Sequence, residues 1–288
     1  MQIKLNKKIY DLSTPMIMGI VNVTPDSFYS GSRFTSDKSV LSAVEKMLYE
    51  GADIIDIGGY STRPVAENIT ANDEMNRLGS ALEIILHKFP DTLISVDTFR
   101  SNVARFAVSN FNVALINDIG GGTLDDLMFE SIADLDVAYV LMHTKGTPQN
   151  MQSHANYEDV VSEVLFFLQK RIAQLHQFGV NDIIADPGFG FAKTMEQSYE
   201  LLSKLSYFKA LDVPIMAGLS RKSMIYKLLD IDPKEALNGT TAANMLALMG
   251  GASFLRVHDV NEAREAVHVF KKYQQAFTIY NSTNLNFG

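Results

Sequence analysis

The chain has 288 residues, a formal net charge of −8 and no cysteine. The length suits one large domain whose core needs no covalent staples, and the missing thiols exclude disulfides, thiolate metal sites and cysteine nucleophiles. The negative balance argues against nucleic acid or an anionic membrane as the main partner, while a local basic pocket for a small anion stays compatible with it.

Taken in chain order, residues 3–12 read as a small hairpin placed to plug the bottom of a barrel. Lys4, Lys7 and Lys8 have no apolar signal-type segment after them, and no apolar run approaches a membrane span, so a cytoplasmic protein is expected. Eight β-forming apolar runs follow, at 16–23, 54–57, 93–96, 113–116, 137–142, 183–185, 213–217 and 254–257. They are continuous rather than alternating, as in parallel strands covered on both faces. Helical spacing separates them, for example Met75, Leu78, Leu82 and Ile85, or Val160, Val161, Val164, Leu168, Ile172 and Leu175. Thr70 and Asp73 have capping-box spacing, and Gly179 suits a helix C-terminal cap. The strand-then-helix order, without a linker or a change of composition, predicts an α/β fold: a single (β/α)8 TIM-barrel domain over 1–288. Its short N-terminal hairpin would span 1–15 and a frayed polar tail 281–288. An open sheet would concentrate functional residues near one switch point, whereas here all eight strand ends carry them.

Those strand ends divide by chemistry. Asp97, Asn117 and Asp186 are acceptors directed at one mouth, suited to a heterocycle with adjacent N–H donors such as a pterin or guanine ring. The competing reading, that each only caps the next helix, weakens when three occur together. Arg63, Arg221, Lys222, Arg256 and His258 are cations, four of them after the last two strands, where barrels place phosphate sites. Arg256 could also stack on a ring, whereas Arg221, adjacent to Lys222, reads as a solvated or salt-bridged arginine. His143 ends the fifth strand without a metal-ligand neighbour at suitable spacing and reads as structural; His87, His154, His176 and His268 read as surface residues. Glycines at 58–59, 120–122, 188 and 190 give backbone access to a ligand, while Gly250 and Gly251 read as a plain turn.

Met18-Gly19-Ile20-Val21-Asn22-Val23-Thr24-Pro25-Asp26-Ser27-Phe28 and Gly51-Ala52-Asp53-Ile54-Ile55-Asp56-Ile57-Gly58-Gly59-Tyr60-Ser61-Thr62-Arg63-Pro64 resemble the two signatures of the dihydropteroate synthase family. Ser95-Val96-Asp97-Thr98, Ile116-Asn117-Asp118, Leu141-Met142-His143, Asp186-Pro187-Gly188-Phe189-Gly190-Phe191, Ser220-Arg221-Lys222-Ser223 and Arg256-Val257-His258-Asp259 continue the resemblance in order. It implies a pterin-binding barrel, usually a homodimer, joining 6-hydroxymethyl-7,8-dihydropterin diphosphate to 4-aminobenzoate with Mg²⁺ assisting, and a target of sulfonamides.

Carried over by position, Asp97, Asn117, Asp186 and Lys222 would hold the pterin edge, with Met142 and Arg256 at its faces. Asn22 would meet the Mg²⁺-diphosphate with Arg63, Arg256 and His258. Phe28, Thr62, Pro64, Phe189, Ser220 and Lys222 would form the aminobenzoate pocket, and Gly190, Phe191 and Gly218 would complete the substrate site. Asp97, Lys222, Arg63, Arg256 and His258 are thereby the expected catalytic set.

Three departures stand out. Tyr60 occupies a position usually Glu, Ser30-Gly31-Ser32 replaces an acidic residue followed by Gly-Gly, and Thr144-Lys145-Gly146 follows His143 where Met-Gln-Gly is common. A non-catalytic pterin-binding paralogue and a folate-dependent methyltransferase are the alternative readings.

Overall fold

The computed structural model describes residues 1–23, 33–60 and 69–284. The chain opens with an antiparallel hairpin, β1 (Gln2–Leu5) and β2 (Lys8–Asp11), turned through Asn6 and Lys7 at φ 46° and 64°. The expected barrel follows: β3 (Met16–Asn22), α1 (Arg33–Tyr49), β4 (Ile54–Gly58), α2 (Ala71–Lys88), β5 (Ile94–Asp97), α3 (Ser101–Phe111), β6 (Leu115–Asp118) and α4 (Met128–Leu135). Then come β7 (Ala138–Met142), α5 (Val160–Gln177), β8 (Ile183–Asp186), α6 (Met195–Ser203), β9 (Met216–Ala217), α7 (Ser223–Tyr226), α8 (Leu237–Gly250), β10 (Phe254–Val257) and α9 (Val260–Asn284).

Strands β3 to β10 form one parallel sheet in the order β8-β7-β6-β5-β4-β3-β10-β9. A bridge between Ala185 and Ile215, with Ala185 N–H donating to the Pro214 carbonyl at 2.8 Å, brings the two ends together and closes the ring.

Alternation along each strand divides the apolar runs between two cores. Ile17, Val21, Ile55, Ile57 and Val96 face the helices, whereas Met16, Met18, Ile54, Leu115, Val140, Ile184, Met216 and Phe254 fill the barrel interior. Both sets are buried, which is why the runs read as continuously apolar. Ile3 and Leu5 of the hairpin join the interior set, so the hairpin plugs the bottom as expected.

The helix signals hold locally. Thr70 and Asp73 form the reciprocal capping box of α2, and Gly179, at φ 84°, follows the end of α5. Residues 281–284 of the expected tail continue α9, and 285–288 lie outside the described residues.

A cleft of about 610 Å³ opens at the barrel bottom among Tyr10, Thr14, Asp53, Asp91 and Arg264, where strands begin. It lies at the opposite end from the polar strand termini, and its Arg264–Asp53 pair (2.6 Å) also ties Asp53 to the Ile17 amide (2.7 Å), a structural role.

Candidate active site

The parallel sheet delivers the C-terminal ends of all eight strands to one mouth. Asp56 and Gly58 come from β4, Asp97 from β5, Asn117 and Asp118 from β6, Met142 from β7, Asp186 from β8 and Arg256 from β10. In register, Asp97 is paired with both Gly58 and Asn117, which sets three expected site residues side by side.

The centre of the mouth is an ion-pair network. Arg256 Nε donates to Asp56 Oδ2 at 2.7 Å and Nη2 donates to Asp97 Oδ2 at 2.8 Å, while Asn117 Nδ2 donates to the same Asp56 oxygen at 3.0 Å. Asp56 is fully buried, and its Oδ1 has no hydrogen-bond partner among the described residues. Sequence reasoning did not single out Asp56, although its place two residues before the end of a buried strand, as a carboxylate, was a usable signal. Two carboxylates fix the plane of the Arg256 guanidinium.

Charge is expensive in this mouth. Burial raises the Asp97 pKa to about 7, with Asp56, Glu74 and Asp118 adding to the rise and Arg256 opposing it. Burial likewise raises Asp186, against the pull of Lys222, and its Oδ1 accepts the Gly188 amide at 2.7 Å. Burial lowers Lys222 to about 8, with Asp186 opposing and Arg256 reinforcing the shift. Burial disfavours the Arg256 charge too, but Asp56 and Asp97 outweigh it and raise its pKa.

Lys222 Nζ donates to the Phe189 carbonyl at 2.5 Å and stands 4.7 Å from the centroid of Phe191. The Phe189 ring, expected as a pocket wall, is instead packed into the core with no exposed surface. Phe191 supplies the ring beside Lys222 because the turn alternates which side chain faces outward. Met142 is nearly buried under the same region. At Gly218 an added Cβ would sit 3.7 Å from Lys222 Nζ and 3.8 Å from Asp186 Oδ2, so the missing side chain leaves open the space between these two charges. Gly190, at φ 76°, turns the backbone beside the Lys222 stem.

Ser220 and His258 form a second pair. Ser220 Oγ accepts the His258 amide at 3.2 Å and lies 3.0 Å from His258 Nδ1. His258 keeps an exposed edge, yet desolvation by the groups around it and the charge of Arg256 push the imidazole down to about 4, so the ring is neutral near pH 7. Arg221, by contrast, is locked onto Asp259 through Nε (2.9 Å) and Nη2 (2.8 Å), the salt-bridged role read for it.

His143 is buried, accepts Lys193 Nζ at Nδ1 (2.9 Å) and meets Phe167 edge-on, as a structural histidine. Lys193, fully buried, went unnoticed in the sequence because it follows the turn motif rather than ending a strand. Tyr60 is also buried, packed edge-on against Phe99, under the Arg100 guanidinium, with Gln149 Nε2 donating to its hydroxyl at 2.6 Å. Lys145 pairs with Glu163 at 2.9 Å, which anchors the departing Thr144-Lys145-Gly146 segment. Phe28, Ser30, Gly31, Ser32, Thr62, Arg63 and Pro64 lie outside the described residues.

Asn22, expected at a metal-bound diphosphate, is exposed at the end of β3, with Oδ1 3.2 Å from where a Gly58 Cβ would stand. No group of three or more His, Cys, Asp or Glu side chains with metal-holding geometry occurs among the described residues. A single exposed amide oxygen fits Mg²⁺ that keeps water and substrate phosphate oxygens as its other ligands, rather than a metal caged by protein.

A strand-end carboxylate floor beneath lysine, arginine and histidine defines a barrel enzyme for a flat, N–H-rich ring carrying an anionic group. The chain belongs to the pterin-binding enzyme family, whose pattern matches residues 18–258. Within it, the chain groups with the dihydropteroate synthases. It is 41% identical over 273 residues to dihydropteroate synthase of Haemophilus influenzae, covering 94% of this chain and 98% of that one. Dihydropteroate synthase of Xanthomonas albilineans, solved with 4-aminobenzoic acid, superposes with a TM-score of 0.87 at 37% identity, covering 95% of this chain and 98% of that one. The same enzyme in complex with 7,8-dihydropteroate gives a TM-score of 0.84 at 35% identity, covering 95% and 99%.

Proposed function

We propose that the chain condenses 6-hydroxymethyl-7,8-dihydropterin diphosphate with 4-aminobenzoate to give 7,8-dihydropteroate and diphosphate. The observation that carries this reading is the acceptor floor of buried Asp56, Asn117 and Asp186 and partly exposed Asp97, with Lys222 and Arg256 set among the carboxylates. The relatives that bind 4-aminobenzoic acid and dihydropteroate support the two substrate halves.

Asp97, Asn117 and Asp186 accept the N–H edge of the pterin, and Lys222 donates to its ring oxygen and nitrogen side. The C–O bond to diphosphate breaks before the amine attacks, so no nucleophilic side chain is required. The Asp97 carboxylate and the electron-rich ring stabilise the methylene cation. His258, Arg256 and Arg63 receive the developing charge of the leaving group at the mouth. Asn22 would hold Mg²⁺, which when bound withdraws charge from the diphosphate. Phe191, Ser220 and Lys222, with Phe28, Thr62 and Pro64, orient the aromatic amine, whose attack on the cation releases a readily lost proton.

A homodimer is supported by exposed Leu246 and Met249 on α8 and Val269 and Tyr273 on α9, two helices that pack together. Sedimentation at micromolar concentration tests it. No helix among the described residues is long and apolar enough to cross a membrane.

The deciding assay measures diphosphate release and dihydropteroate formation from the pterin diphosphate and Mg²⁺, with and without 4-aminobenzoate. Aminobenzoate-dependent product is expected. Pterin binding without product at every Mg²⁺ concentration would establish the non-catalytic reading.

A further inference from the structure

We propose that Lys193 is a positioning residue for 4-aminobenzoate, acting from inside the 187–191 turn to hold the Phe189 carbonyl and the Phe191 ring where Lys222 meets them. The inference rests on the functional reading above.

Lys193 is 3% exposed and cannot touch a substrate in the mouth. Its Nζ lies 3.0 Å from the Gly188 carbonyl, 3.0 Å from the Phe191 carbonyl, 2.9 Å from His143 Nδ1 and 3.4 Å from the His143 carbonyl, and although burial lowers its pKa, the amine still has protons to donate to the turn's carbonyls. Burial and the neighbouring lysine push the His143 imidazole down to about 2, so a neutral ring is available as acceptor. The lysine thereby joins both ends of one turn to the end of a neighbouring strand.

That turn needs such a tie. Gly188, Gly190 and Ala192 all have positive φ (71°, 76° and 49°), and for alanine this region is disfavoured. A Cβ on Gly188 would stand 2.1 Å from the His143 carbonyl, so the turn lies hard against the strand end. With the Gly188 and Phe191 carbonyls held inward by Lys193, the intervening Phe189 carbonyl is directed to Lys222 Nζ at 2.5 Å. The Phe191 ring lies under the same ammonium. Tyr157 secures the turn's far side by donating to the Ala192 carbonyl at 2.9 Å. The structure thus assigns one lysine to substrate and a second, buried one to holding the first in place.

The test compares steady-state kinetics of wild type, Lys193→Met, Tyr157→Phe and a control, Leu201→Ala, a buried α6 side chain that takes no part in the turn's hydrogen bonds. Assays run well below each unfolding midpoint. Lys193→Met is expected to raise KM for 4-aminobenzoate about tenfold or more while kcat falls less than threefold. Tyr157→Phe should shift KM in the same direction by about threefold, and Leu201→Ala should leave it unchanged. A KM within twofold of wild type in Lys193→Met, or the same shift in Leu201→Ala, overturns the proposal. If Lys193→Met does not fold, Tyr157→Phe decides by the same criterion. Failure of the functional reading is separable, since it appears as absent product in wild type.

Discussion

Asp56 carries more of the site than its buried position suggests, and Asp56→Ala tests this. One Oδ2 accepts from Arg256 (2.7 Å) and from Asn117 (3.0 Å), so the substitution strands a buried amide and leaves the partly exposed Arg256 guanidinium to Asp97 alone. Removing one partner of a buried ion pair costs about 3–5 kcal/mol. Over 288 residues, an unfolding entropy of about 2 cal/mol/K per residue sums to about 0.6 kcal/mol/K, so ~4 kcal/mol lowers Tm by roughly 7 °C. Urea unfolding and calorimetry measure the loss, and titration with a pterin measures its consequence for binding, because Arg256 and Asn117 lose their shared anchor. Adding Arg256→Met to Asp56→Ala removes the half-paired charge, so the double variant should be less destabilised than the sum of the singles by about 2 kcal/mol. A loss below about 1 kcal/mol in Asp56→Ala, or strict additivity in the cycle, would refute the reasoning.

Lys222→Ala should lower kcat/KM by two orders of magnitude or more, on the order of 3 kcal/mol, and a loss below tenfold would count against a role on both substrates. With Lys222 held at about 8, wild-type kcat/KM should fall as pH rises through 8, since the ammonium is the donor; a flat profile to pH 9.5 contradicts that. Asp97 predicts the opposite limb. Its ionised form accepts the pterin edge, so calorimetric affinity should weaken by up to about tenfold per pH unit below 7, and Asp97→Asn should abolish that slope. By linkage, a carboxyl raised from 3.8 to about 7 stabilises the fold most below pH 4 and progressively less as pH rises through 7, because the unfolded chain releases that proton first. Gly218→Ala should leave the unfolding midpoint unchanged, as its methyl meets nothing nearer than 3.7 Å. It should weaken pterin binding about tenfold by entering the space between Lys222 and Asp186, and unchanged affinity would place the ring elsewhere.

The sequence by itself determined the barrel, the strand ends and most of the acceptor floor. Continuous apolar runs require burial on both faces, and polar residues that end such runs can only gather at one mouth of a parallel barrel. Asp97, Asn117 and Asp186 were legible for that reason, and Arg221 was legible as a salt-bridged neighbour of Lys222. Pairing across the ring was not, because partners such as Asp56 and Arg256 are 200 positions apart and meet only when β10 closes on β3. Tertiary structure alone decided that Phe191, not Phe189, faces Lys222, since the turn's positive-φ residues set which side chain points outward. It also revealed Lys193, an amine whose isolation from solvent depends on how the turn folds over it and on no local pattern in the chain.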